Sequence, residues 1–136
     1  MIHGNLHVGS VFVTKGGDWK LWGLEYVVEA DHLSNSPLHH LLQSSPGVGG
    51  GHSINSPPEC KMNGWAERVK EHPYSIDVWE FGAFAVEVYQ QAKIMMPAQF
   101  ESVWRRLSVG DPLIRPLPKM IEESDYFTSN QYVEII

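Results

Sequence analysis

The chain has 136 residues, 43% of them apolar and 19% charged, with a formal net charge of −6. Those values suit one globular domain at most and exclude the basic stripe that a nucleic-acid surface requires. Cys60 is the one cysteine, so no internal disulfide can form. No apolar run reaches the ~18 residues of a transmembrane helix, and Met1–Asn5 lacks the charged and apolar regions of a signal peptide. The expected location is therefore cytoplasmic.

Val11-Phe12-Val13-Thr14 is a short β-rich run, and Trp19-Lys20-Leu21-Trp22 reads as its return strand. Gly16-Gly17 lies between them and is a two-residue turn signal, which predicts an antiparallel hairpin of Val11–Thr14 with Asp18–Trp22. From Glu29 to Pro58 the texture changes to Ser, Gly, Pro, His and Asn. Such a segment buries too little apolar surface to offset its ordering entropy, so residues 29–58 are expected to form a long flexible loop. The strongest helix signal is Ser75 to Gln91, with Ser75 as N-cap and apolar residues on nearly every side, which predicts deep burial. A second helix is predicted from Pro97 to Leu107, with Phe100, Val103, Trp104 and Leu107 on one face and Gly110 and Pro112 as terminators. A short helix is expected after Pro116, within Leu113–Glu123.

Several chemical signals fail on spacing. His39, His40, His52, Cys60 and His72 form no zinc-ligand pair, so they read as loop histidines and a small core cysteine. Gly47–Gly51 has neither the G-K-[ST] ending nor the preceding strand of a phosphate loop, and reads as linker. Trp19, Trp22, Trp65, Trp79 and Trp104 read as hairpin and core packing, with Trp65 the one best placed in a polar stretch to face a partner. No cofactor is implied.

Five motifs carry a resemblance. His3-Gly4-Asn5-Leu6, followed by Ser10 and Val11-Phe12-Val13, resembles the protein-kinase catalytic loop H-R-D-L-x-x-x-N and its next strand. Lys20-Leu21-Trp22-Gly23-Leu24-Glu25 falls where the strand ending in D-F-G belongs, and Pro57-Pro58-Glu59 resembles A-P-E. Asp77-Val78-Trp79-Glu80-Phe81-Gly82 resembles the opening of the long F helix, and Pro112-Leu113-Ile114-Arg115-Pro116 the motif whose arginine pairs with the glutamate of A-P-E. Trp19–Tyr26 and Phe127-Thr128-Ser129-Asn130-Gln131-Tyr132-Val133-Glu134 add a closer similarity to the Scy-like (N-terminal kinase-like) pseudokinases.

The resemblance implies an α+β fold: a kinase-like C-lobe, mostly helical, with one small hairpin. Residues 1–123 would be a partial kinase-like domain and 29–58 a degenerate activation segment. Residues 124–136 would lead toward helical repeats, and the chain would be a fragment without the N-lobe. It also implies that no catalytic residue survives. Phosphoryl transfer needs a proton acceptor and oxygen ligands for magnesium. Here Asn5 stands at the base position and its neutral amide accepts no proton; Ser10 replaces the metal-binding asparagine; Gly23 replaces the aspartate of D-F-G. Glu25, two residues on, is expected to point elsewhere. The positions that match architecture are His3 and Leu24 in the spine, Asp77 at the catalytic-loop backbone, the Glu59–Arg115 ion pair, and Trp79 and Gly82 in the F-helix motif.

The implied function is an inactive pseudokinase scaffold in Golgi–endoplasmic reticulum vesicle traffic. Its implied partners are vesicle-coat or trafficking proteins, met in the cytoplasm or at the periphery of Golgi membranes. The alternative is a divergent kinase whose full-length form binds ATP, through a degenerate site, with weak phosphotransferase activity.

Overall fold

The computed structural model describes residues 1–35 and 56–129. Two strands, β1 (Val11–Val13) and β2 (Trp19–Leu21), pair antiparallel with Val11 opposite Leu21 and Val13 opposite Trp19. The turn is one residue longer than Gly16-Gly17 suggests. Thr14 N donates to Asp18 O at 2.9 Å and Gly17 N to Thr14 O at 3.0 Å, leaving Lys15, Gly16 and Gly17 as the loop. Gly17 takes φ 87°, the left-handed position that closes a three-residue hairpin.

The helices follow: α1 (Trp65–Arg68), α2 (Ser75–Ala92), α3 (Ala98–Leu107), α4 (Pro118–Glu122) and α5 (Asp125–Ser129). Mostly helical with one small antiparallel sheet, the fold is α+β. Tyr74, not Ser75, occupies the cap position of α2; Ser75 is the first helical residue and fully buried. Helix α2 ends in a paired-bond cap, in which Ile94 N reaches Tyr89 O and Lys93 N reaches Gln90 O, with Lys93 at φ 54°. Pro97 sits just before α3 rather than inside it.

Helix α2 joins two apolar clusters. Ile76 packs with Ile2, Leu33, Cys60, Trp65, Ala66 and Val69. Two residues on, Val78 packs with Val103, Leu107 and Ile121, flanked by Phe81, Tyr126 and Phe127. Gly82 lets α3 approach closely: a Cβ there would stand 3.1 Å from the Leu107 Cβ. The deep burial expected of the whole helix holds for its first turns; from Ala83 to Tyr89 the side chains are half-buried, because α3 and the hairpin cover only parts of the circumference.

Three other expectations are corrected. The loop expected from Glu29 begins later, since Ala30–Asn35 forms two consecutive 3-10 turns that seat Leu33 in the first cluster. Residues 36–55 of that loop, including His39, His40, His52 and Gly47–Gly51, lie outside the described residues. Trp65 is a core residue, whereas Trp19 and Trp22 are exposed, because the two-stranded sheet has no layer over that face among the described residues. Helix α5 was not anticipated; Tyr126 stacks edge-on against Phe100 at 4.9 Å and Phe127 lies 6.4 Å from Phe81, which ties the helix to α2 and α3.

Candidate functional site

The segment His3–Ser10 has no ladder of its own, so its backbone N–H groups are held by side chains. Asp77 on α2 accepts from His3 N at 2.8 Å and from Gly4 N at 2.9 Å. Glu80, one turn on, accepts from Leu6 N at 2.7 Å. Gly4 takes φ 74°, which turns both amides toward the helix. His3 Nδ1 accepts from Asn5 N at 3.3 Å, which leaves Nε2 to donate to the Trp22 carbonyl at 2.8 Å. His7 caps the following 3-10 turn, and Ser10 Oγ closes it by accepting from His7 N and donating to His7 O. The Ser10 hydroxyl is thus engaged with backbone and buried.

Gly23 joins this group. It takes φ 77°, and a Cβ on it would lie 3.5 Å from Ser10 Cβ, 3.8 Å from Glu25 Oε2 and 3.9 Å from His3 Cε1. His3, Ser10 and Gly23 therefore meet at one spot, with Asn5 buried in the same loop. Glu25 departs from expectation: the 3-10 turn Leu24–Tyr26 folds its carboxylate back beside Gly23. It stands without companions, since among the described residues the one cluster of three metal-capable side chains is the exposed Glu29, Asp31 and His32, elsewhere on the surface. Leu24 is 62% exposed and not part of the core.

Glu59 and Arg115, 56 residues apart, form a buried fork. Arg115 Nη1 and Nη2 donate to Glu59 Oε1 and Oε2 at 2.5 and 2.8 Å. The remaining donors reach the carbonyls of Ser75 (3.0 Å), Val109 (2.8 Å) and Gly110 (3.3 Å), and the guanidinium lies 4.8 Å from the centre of the Trp79 ring. The carbonyl of Arg115 is itself bonded to His72 Nε2 at 2.8 Å. This junction ties the turn at Pro58–Lys61, the start of α2 and the end of α3 into one body. His72 was missed in the sequence as part of it, and so was Glu80 beneath the loop. The available signal for Glu80 was a carboxylate between the apolar residues Val78, Trp79 and Phe81, a residue type almost never fully buried without a reason. Burial of Cys60 pushes its thiol well above the ordinary range, which suits a core residue rather than a nucleophile.

A cavity of about 730 Å³ lies beside Met1, Leu6, Val78, Phe81, Ile121 and Phe127, with Asp77 at its edge. It is an apolar groove, and none of His3, Ser10, Gly23 and Glu25 lines it. No helix among the described residues is long and apolar enough to cross a membrane.

Compared with known proteins, the whole chain is 28% identical, over 145 aligned positions, to the probable inactive serine/threonine-protein kinase scy1 of Dictyostelium discoideum. The similarity to this inactive kinase-like protein runs through the whole chain. The chain spans 17% of the length of that relative. No family model matches it, and no solved structure does. With a Scy-like relationship over its full length, the α+β fold reads as a kinase-like C-lobe.

Proposed function

We propose that this chain is the kinase-like part of a non-catalytic scaffold acting in Golgi–endoplasmic reticulum vesicle traffic. The observation that carries the reading is the contrast inside one small region. The loop His3–Leu6 is clamped to α2 through three backbone amides, while the position beside it that would need a metal-binding carboxylate is a left-handed glycine. Asn5 cannot take a proton from a hydroxyl, and Ser10 is occupied as a turn lock. The architecture that positions a kinase loop is kept and the groups that perform transfer are not, which suits a surface for binding proteins. The relative's own name, a probable inactive kinase, supports the same direction.

Two experiments test this. Purified full-length protein, incubated with radiolabelled ATP and magnesium or manganese, should transfer no phosphate to a generic protein substrate. Turnover that survives purification and vanishes in Glu25→Ala would make Glu25 a metal ligand and overturn the reading. Tagged full-length protein should co-localise with Golgi markers in cells and with coat components on isolated vesicles; a uniform or nuclear distribution would remove the trafficking assignment.

A further inference from the structure

Glu80 is fully buried, yet only one of its oxygens is used. Oε2 accepts from Leu6 N, while Oε1 is shut off from solvent with no hydrogen-bond partner among the described residues. An ionised carboxylate so placed would leave charge on an oxygen that nothing stabilises, a heavier penalty than keeping the proton. The neighbours do not relieve it. On the same helix face, Asp77 carries a carboxylate already committed to His3 N and Gly4 N. From the loop, the His3 imidazole is engaged with Asn5 N and Trp22 O. From the turn at Pro58–Lys61 come the Cys60 thiol and the Glu59 carboxylate, and the Arg115 guanidinium is held by Glu59 and three carbonyls.

We propose that Glu80 is a proton-linked latch on the His3–Leu6 loop: the neutral acid holds the Leu6 amide, and loss of its proton sets a second buried negative charge beside Asp77 and loosens the loop. The electrostatics agree with the geometry. Burial first, and the Asp77 charge second, push the Glu80 carboxyl up to about 8, against the lowering effect of the Leu6 amide. Asp77 is also raised by burial, while the His3 and Gly4 amide bonds act the other way. The closed loop binds the Glu80 proton more tightly than an open, solvated Glu80 near 4.5 would. Closure is therefore strongest in acid, weakens as pH rises between those two values, and levels off above the higher one. The proton sits beneath the loop that holds Asn5 and leads to Ser10, so the shape of this surface is coupled to pH within the physiological range.

The test is amide hydrogen exchange at Leu6 in the full-length protein at pH 6 and pH 8, corrected for intrinsic exchange, in wild type and Glu80→Gln. The wild-type opening equilibrium should rise by tens of fold, with linkage giving about 50-fold for a shift of this size. In Glu80→Gln, which keeps an oxygen for Leu6 N but carries no titrating proton, the change should fall below about 3-fold. Carboxyl carbon NMR of wild type supplies a readout that needs no variant, and the Glu80 signal should titrate near neutral or above. A Glu80 midpoint near the ordinary glutamate value, or a Glu80→Gln variant with the wild-type pH response, overturns the latch.

Discussion

Replacing Arg115 by lysine keeps the charge and removes the fork. Arginine here uses all five N–H donors: two on Glu59 and one each on Ser75, Val109 and Gly110 carbonyls. An ammonium has three donors and one centre, so at least two of those five acceptors lose their partner. A buried acceptor left unsatisfied costs about 1–3 kcal/mol, and since Val109 and Gly110 are open enough for water to replace their donor, Arg115→Lys should cost about 1–3 kcal/mol. Arg115→Ala strands the Glu59 carboxylate as well and should cost at least about 3–5 kcal/mol. The double variant Glu59→Leu/Arg115→Met separates the terms. It removes both charges, and simple buried pairs replaced this way are often neutral. Here the buried Ser75 carbonyl remains without a donor, so the double variant should recover only part of the loss. Equilibrium urea unfolding, followed by tryptophan fluorescence, measures all three, since Trp79 lies against the guanidinium. A lysine variant within about 0.5 kcal/mol of wild type, inside the scatter of ordinary surface changes, would refute the view that the carbonyl network stabilises this junction.

Lys93 caps α2 in the left-handed region, so Lys93→Gly should raise stability by about 0.5–1 kcal/mol, read as a higher urea midpoint at unchanged slope. Gly23→Asp places a side chain at φ 77° and should lower stability by about 1 kcal/mol; combined with Asn5→Asp it should still give no phosphate transfer in the radiolabel assay, because a single restored carboxylate beside Glu25 does not complete a metal site. Phe100→Ala should cost about 3–5 kcal/mol and speed amide exchange across Asp125–Ser129, since the Phe100 ring holds Tyr126 and contacts Tyr89.

Much of the fold was legible because local rules and tertiary needs coincide. The hairpin followed from two β-rich runs around glycines, and α2 and α3 from length and apolar spacing. The pairing of Glu59 with Arg115 and of Asp77 with the His3-Gly4 amides was legible only through motif resemblance, because nothing local in either partner specifies the other. The expected pairing of Val11–Thr14 with Asp18–Trp22 extends to the Thr14–Asp18 bond and leaves Lys15 in the loop. The errors have physical causes. Composition made residues 29–58 look uniformly loose, yet one apolar residue, Leu33, is enough to anchor its start. Helix α5 carries no periodic signal in five residues; its aromatic contacts form it. Glu80 was hidden because a carboxylate on a helix ordinarily faces water, and only the position of Leu6 N reveals what it binds.

The clamp between α2 and the loop also sets an order of folding events. His3 and Gly4 are bonded to Asp77 across 74 and 73 residues, and Leu6 to Glu80 across 74. Closing contacts of that separation requires the chain entropy between them to be lost first, so they form after the local helices. During synthesis at ~5–20 residues per second, the loop emerges and then waits roughly 4–15 s before the first carboxylate that fixes it exists. Until α2 has been made, Ile2 and the loop amides are open to whatever binds exposed chain. The earlier-made side of each of these contacts thus waits for the later one, and the arrival of the loop in place reports that α2 has folded.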